Sequence, residues 1–262
     1  MARKVERRVR DGKLAWYTQH ADENFWDEHW LQRLNAETYR GALQGRFQYL
    51  GDLYRKWLPR DGRIVEAGCG RAEITVALRT LGYDAEGVDY AQETVNRVGA
   101  IFPDVPLRQA DVTRMEVPDG HYGGYVSIGV IEHREEGPEP FLDEAFRILR
   151  PGGIAIFTVP YINPIRARKI ARGEFDGPPP TGLPFYQFAF TEADLRAVLE
   201  RAGFEVVDAQ PYGGFRGITD EMRWTRRWVK WLRKMPLMGP RFSRWLDHCA
   251  YGHMIALVAR RP

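Results

Sequence analysis

Beyond residue 60 the apolar positions switch repeatedly between two periods. Short runs at 64–65, 85–88, 107–110, 125–130, 154–159, 204–207 and 254–259 are rich in small, β-branched or aromatic residues and read as strands. Between them, apolar residues recur at helical spacing: Ile74, Val76, Ala77 and Leu81; residues 91–101; Phe141, Leu142, Ala145, Phe146 and Leu149; and Leu195, Val198, Leu199 and Ala202. The last of these helices opens on a capping box, Thr191-Glu-Ala-Asp194. Strands joined through helices by about a dozen residues must pair in parallel, because a hairpin cannot make that connection. The pattern predicts an α/β domain over residues 59–262.

Two stretches interrupt it. Residues 160–190, between the fifth and sixth strands, contain Gly177-Pro-Pro-Pro180 and the aromatic run Phe185-Tyr-Gln-Phe188. This connection leaves the carboxyl end of a strand, where open α/β sheets bind ligands, so it is expected to form a substrate lid carrying Tyr161 and Tyr186. Residues 213–251 form a second insertion. In it Trp224, Trp228, Trp231, Leu232 and Met235 share one helical face, while Arg223, Arg226, Arg227, Lys230, Arg233 and Lys234 cover the remainder. Its aromatic face is expected to pack on the domain; the sharper alternative, over 223–245, is peripheral contact with an anionic membrane. Ahead of the domain, residues 14–58 are dense in Trp, Tyr and Phe. From 37 to 58 Leu43, Phe47, Leu50 and Tyr54 fall on one face until Pro59-Arg-Asp-Gly62 stops the pattern. This predicts an N-terminal helical cap over residues 1–58. Most of its aromatics should pack on the sheet edge, with Tyr17, Trp26 and His29 the candidates to close over a ligand.

The first strand runs directly into Glu66-Ala-Gly68-Cys69-Gly70-Arg71-Ala72 and then a helix. Two glycines let the backbone turn sharply and approach a ligand, and the new helix presents unpaired N–H groups above the strand end. A pyrophosphate would want a third glycine one position later and a helix start free of acids, whereas Ala72 stands early and Glu66 and Glu73 flank the turn. Two carboxylates favour a cationic ligand, such as a sulfonium with its ammonium group. Asp89, at the end of the second strand, is placed to accept ribose hydroxyls, and Asp111, after the third, to accept from an adenine amino group.

Taken together and in order, Glu66-Ala-Gly-Cys-Gly-Arg-Ala, Gly-Val-Asp89, Ala-Asp111-Val, Gly-Val-Ile-Glu-His133 and Arg147-Ile-Leu-Arg-Pro-Gly-Gly153 resemble the class I S-adenosylmethionine-dependent methyltransferases. The resemblance implies a three-layer, Rossmann-like sandwich around a mostly parallel seven-stranded sheet whose last strand is antiparallel. It implies S-adenosylmethionine as cofactor, with S-adenosylhomocysteine as product. Glu66, Gly68, Cys69 and Gly70 would hold the methionine moiety, Asp89 with Tyr90 the ribose, Asp111 with Val112 the adenine, and Ile128 with Gly129 the amino group. His133, ending the fourth strand, is the candidate base if a hydroxyl is methylated. The expected activity is O- or N-methylation of a small or medium organic acceptor, a sugar or lipid-linked molecule among the options. A dinucleotide-dependent oxidoreductase and a non-catalytic cofactor-binding protein are the competing readings.

Charge and composition narrow the partners. Net charge is +3, but residues 1–13 hold six Lys/Arg against two acids and residues 222–246 hold eight against none, which leaves the remainder net acidic. Nucleic acid is therefore not an expected partner. Only Cys69 and Cys249 are present, without Cys-x-x-Cys or His-Glu-x-x-His, so no metal site is expected. The start lacks the apolar core of a signal peptide, and no apolar run approaches the roughly 18 residues that span a bilayer. A cytoplasmic protein, membrane-peripheral at most, is expected.

Overall fold

The computed structural model describes residues 4–235 and 238–262; the first of the basic residues at the start and part of the Trp/Arg-rich segment fall at 1–3 and 236–237, outside the described residues. In chain order the strands are β1 (Glu6–Arg10), β2 (Lys13–Tyr17), β3 (Ile64–Ala67), β4 (Ala85–Asp89), β5 (Leu107–Gln109), β6 (Tyr122–Ile128), β7 (Leu149–Pro160), β8 (Phe185–Ala189), β9 (Glu205–Tyr212) and β10 (Met254–Arg260). The helices are α1 (Glu23–Leu31), α2 (Ala36–Tyr39), α3 (Gly51–Trp57), α4 (Glu73–Thr80), α5 (Gln92–Ile101), α6 (Glu139–Ile148), α7 (Pro164–Ala171), α8 (Glu192–Arg201), α9 (Gly214–Thr219), α10 (Arg226–Arg233) and α11 (Gly239–His248).

Seven strands form one sheet in the order β5-β4-β3-β6-β7-β10-β9. The pairs from β5 to β7 are parallel, and β10, the last strand, runs antiparallel to both β7 and β9. Side chains alternate across this sheet. Val65, Ala67, Tyr125, Phe157 and Leu257 face one core, filled by Leu142, Ala145 and Ile148 of α6 and Leu195 and Leu199 of α8. Ile64, Val126, Ile156 and Val258 face the other, filled by Leu53 and Tyr54 of α3 and Leu78 of α4. One-residue alternation within each strand therefore builds the three layers that the sequence predicts.

The N-terminal segment departs from the predicted helical cap. β1 and β2 form an antiparallel hairpin, and β8 pairs with β2 to make a separate three-stranded sheet. The turn is Asp11-Gly12, both at positive φ (50° and 76°), the backbone that a tight two-residue hairpin demands. The aromatic run 185–188 is thus a strand that locks the first insertion to the chain start. The single helical face predicted over 37–58 is also broken. Gly45 (φ 64°) and Leu50 (φ 61°) adopt left-handed backbone, which divides the stretch into α2, a 3-10 turn and α3 and leaves Leu43 exposed.

A buried ionic node fastens these additions to the sheet. Glu221, with a side chain 1% exposed, pairs with Arg7 of β1 (2.5 Å) and with Arg166 (3.0 Å) and Lys169 (3.1 Å) of α7. Arg166 also donates to the carbonyls of Tyr161 and His253. Beside it the buried Asn163 amide donates to the Gly217 and Gly252 carbonyls, while its oxygen accepts from the Ile165 and Arg166 N–H groups at the start of α7.

Candidate functional site

Parallel order reverses at β3, with β4 on one side and β6 on the other, and a crevice forms above the strand ends at that point. β3 delivers the glycine loop there. Gly68 (φ 76°) tolerates no side chain: an added Cβ would lie 2.4 Å from a methyl of Val130. At Gly70 (φ 47°) the clash would be with the Trp30 ring, 2.6 Å away, so α1 rests directly on the loop. Ala72 adopts left-handed backbone (φ 54°) before α4 begins, a conformation glycine reaches without cost.

A cavity of about 640 Å³ opens over this loop. Gly68, Asp89, Tyr90, Asp111, Val112, Ile128, Gly129, Trp26 and His133, all singled out from sequence, line it together. Asp89 is buried, and its carboxylate accepts from the Gly70 N–H (2.7 Å) and the Ala91 N–H (3.0 Å). A carboxylate has about four acceptor sites, so two remain for a ligand's hydroxyls. Burial raises its pKa while these backbone donors oppose the shift. One oxygen of Asp111 is held by the N–H and hydroxyl of Thr113, both at 2.8 Å, which orients the carboxylate.

Other predicted residues lie behind the cavity wall. Glu66 is buried, and its carboxylate accepts from the N–H (2.8 Å) and hydroxyl of Thr75 in the first turn of α4. Burial pushes its pKa up to about 8, so near neutral pH it is largely protonated. Contrary to the charge expected of it at the turn, Glu66 shapes the loop by bonding the helix start. Glu73 likewise pairs with Arg71 (2.5 Å). Five acids line the cavity: Glu135 and Glu136 pair with Arg10 and Arg134, while Asp22, Asp89 and Asp111 form no ion pair among the described residues. Cys69 is buried under Gly87, where burial raises its thiol pKa well above the ordinary value, so it packs and does not react. Tyr17 is buried edge-on to Phe185, and Tyr161 sits at an isolated bridge to Phe190; neither lines the cavity. His29 packs edge-on within the α1 aromatic cluster, and Tyr186 stands against His133 without reaching the cavity surface.

His133 is held firmly. Its Nδ1–H donates to the Tyr186 carbonyl (2.8 Å), which leaves the lone pair on Nε2, and the Trp26 and Tyr186 rings lie 5.0 and 4.8 Å from it. Burial holds its pKa down to about 4, so the imidazole is neutral at physiological pH. Its neighbour Glu132 is 2% exposed, with Oε1 3.9 Å from His133 Nε2 and Oε2 without a hydrogen-bond partner among the described residues; burial pushes its pKa up to about 8.

The fastening of α1 as a roof is not written in any local pattern of the sequence. Asp27 bonds Thr94 at the start of α5, and the Tyr90 hydroxyl donates to the Ala21 carbonyl (3.0 Å). Trp30, Phe141 and Phe185 also line the cavity, and Glu135 on its rim is paired with Arg10 of β1. These contacts are long-range, and only the helical spacing of Trp26 and Trp30 hinted at one of them. A second cavity of about 690 Å³ begins where Ile128, common to both, ends β6. Phe47, Tyr49, Tyr54 and Tyr212 line it, with Arg46, which forms no ion pair among the described residues.

A Rossmann-like α/β sheet with a glycine loop and two acids at the ends of successive strands has the architecture of the methyltransferase class. The chain matches the methyltransferase domain family over residues 29–209 and belongs to that family. It is 33% identical over 155 residues to a probable S-adenosylmethionine-dependent methyltransferase of Mycolicibacterium smegmatis, covering 59% of this chain and 55% of that protein. A ubiquinone biosynthesis O-methyltransferase of Bordetella avium is 24% identical over 187 residues, 67% of each chain. The chain spans about half the length of the first of these relatives. Among solved structures, an S-adenosylmethionine-dependent methyltransferase from Mesorhizobium loti matches with a TM-score of 0.53 at 18% identity, covering 81% of this chain and 97% of that one. The [4+2]-cyclase SpnF matches with a TM-score of 0.54 at 19% identity, covering 93% and 97%. These likenesses establish the fold. S-adenosylmethionine fits the residues present: spare acceptors on Asp89 and Asp111, a loop open at Gly68, and an acidic lining suited to a cation.

Proposed function

We propose that this protein is an S-adenosylmethionine-dependent methyltransferase acting on a small or medium-sized organic acceptor through a hydroxyl or amine. The observation that carries this reading is one cavity in which the glycine loop, Asp89 and Asp111 are continuous with Trp26, His133 and Phe185. The adenosyl end would lie on Asp89, Tyr90, Asp111 and Val112, and the amino-acid end toward Ile128, where Arg46 offers an unpaired cation for a carboxylate. The cofactor supplies an already activated methyl group, so the protein's task is alignment and exclusion of water; orientation of this kind contributes roughly 7 to 11 kcal/mol. His133, neutral and with Nε2 free, accepts a hydrogen bond from the acceptor's O–H or N–H and fixes its approach. A base with a pKa near 4 orients a proton more readily than it removes one. Methylation at oxygen is supported by the name of the Bordetella relative.

Membership of the methyltransferase family leaves the dinucleotide reading without support. Thermal melts with S-adenosylmethionine, S-adenosylhomocysteine and NAD in parallel test the proposal. Ligand at about 100 times its dissociation constant adds roughly 2.7 kcal/mol, so the two sulfur ligands should each raise the midpoint by about 5–10 °C. A shift with NAD alone would overturn it.

A further inference from the structure

The insertion between β9 and β10 leaves the sheet immediately after Tyr212, a lining residue of the second cavity, and so emerges on the same rim as the site. Its aromatic face does not pack on the domain as the sequence suggested. Trp224 is 74% exposed, Trp228 65% and Trp231 57%, while Val229 is the buried contact of α10. Trp228 and Trp231 stand three residues apart on one face of α10, and Trp224 is exposed in the 3-10 turn (Arg223–Thr225) that leads into it. Arg226, Arg227, Lys230 and Lys234 are exposed around it and form no ion pair among the described residues. Arg233 is turned back, its guanidinium over the Phe215 ring at 4.9 Å. On α11, Trp245 is also exposed and stacks with Phe242 at 5.7 Å. Residues 222–246 contain eight Lys/Arg and no acid.

Tryptophan exposed in this density has no role in a helix that merely shields the core, because each ring leaves a large apolar area in water. Indole is at home at the headgroup level of a bilayer, where its ring is buried and its N–H stays wet, and unpaired cations are drawn to anionic headgroups. We propose that α10, with Trp245 of the neighbouring α11, docks this protein on an anionic lipid surface. The helix and the 3-10 turn before it lie in the interface plane, with Trp224 of the turn and Trp228 and Trp231 of the helix inserted and Arg226, Arg227, Lys230 and Lys234 against the headgroups. Among the described residues no helix is long and apolar enough to cross a membrane, so the contact is peripheral. The cavity rim then faces the surface on which a lipid-linked acceptor would be presented, a consequence that rests on the methyltransferase reading; the docking itself does not.

Co-sedimentation with phosphatidylcholine vesicles, with and without phosphatidylglycerol, tests this, with tryptophan fluorescence recorded in parallel. The full-length protein should bind the anionic vesicles with a blue shift, bind neutral vesicles at least about tenfold more weakly, and be released by raised salt. Substituting Trp224, Trp228 and Trp231 by Ala together should abolish vesicle binding while S-adenosylhomocysteine affinity and the thermal midpoint are kept. Equal binding by the triple variant would overturn the proposal, as would failure to bind anionic vesicles. So would displacement from vesicles by an unstructured RNA oligomer that binds more tightly, which would assign the surface to nucleic acid. Loss of cofactor binding with vesicle binding intact would count against the methyltransferase reading alone.

Discussion

One carboxylate oxygen of Asp27, on α1, accepts both the backbone N–H (2.8 Å) and the hydroxyl (2.7 Å) of Thr94 in the first turn of α5. The helix that roofs the cavity is thereby tied to the helix that follows Asp89. A negative charge at a helix start is favoured by the exposed N–H groups there, and hydrogen bonds to a charged group contribute about 1.5–3 kcal/mol.

Replacing Asp27 by Ala should therefore loosen the roof more than it loosens the domain. We expect S-adenosylhomocysteine affinity to fall about three- to tenfold, with the thermal midpoint lowered by a few degrees, as measured by calorimetry and a melt. Unchanged affinity would mean that α1 is not part of the binding site.

The buried acids and histidines make stability depend on pH in two opposed windows. Glu66 and Glu132 are raised by burial from 4.5 to about 8, so between these values the folded chain holds protons that the unfolded chain releases, and stability falls as pH rises. His133 is lowered by burial from 6.5 to about 4, so across that window the unfolded chain takes up a proton that the folded one refuses, and stability falls as pH drops. Glu132→Gln imitates the protonated form permanently. Relative to the parent protein its midpoint should be clearly higher at pH 8.5 than at pH 5.5; an equal difference at both pH values would refute the assignment.

Glu221→Ala leaves Arg7, Arg166 and Lys169 converging on an empty position, with Arg166 itself 1% exposed. Removing one partner of a buried ion pair costs about 3–5 kcal/mol, which at roughly 2–4 °C per kcal/mol lowers the midpoint by about 10 °C. Lys169→Ala, at a side chain 22% exposed on the edge of the node, should cost far less. Equal losses would show that the node's energy is not concentrated on the buried pair.

The sheet was legible because each strand carries its own alternation: Ile64 and Val65 face opposite cores, as do Tyr125 and Val126. Asp89 and Asp111 were legible because a strand end fixes where its next residue lies. Glu66 was not, since only the left-handed turn at Ala72 and the place where α4 starts decide that its carboxylate turns back to Thr75. The hairpin was written in Asp11-Gly12, yet the aromatic density that follows masked it. In the stretch 37–58, Gly41, Gly45 and Gly51 mark breaks that the spacing of Leu43, Phe47 and Leu50 concealed. Trp30 over Gly70, Asp27 on Thr94 and Arg7 on Glu221 join residues far apart in the chain, and no local pattern encodes such contacts.

In the proposed function the cavity above the glycine loop binds S-adenosylmethionine through Asp89. Its most direct test is isothermal calorimetry of S-adenosylhomocysteine with the parent protein and Asp89→Ala, each checked by a thermal melt for retained folding. We expect saturable one-to-one binding to the parent and at least tenfold weaker binding to the folded variant, because two ribose hydroxyls lose their acceptor at about 1 kcal/mol or more each. Equal affinities in the two proteins, or no binding to the parent, would contradict it.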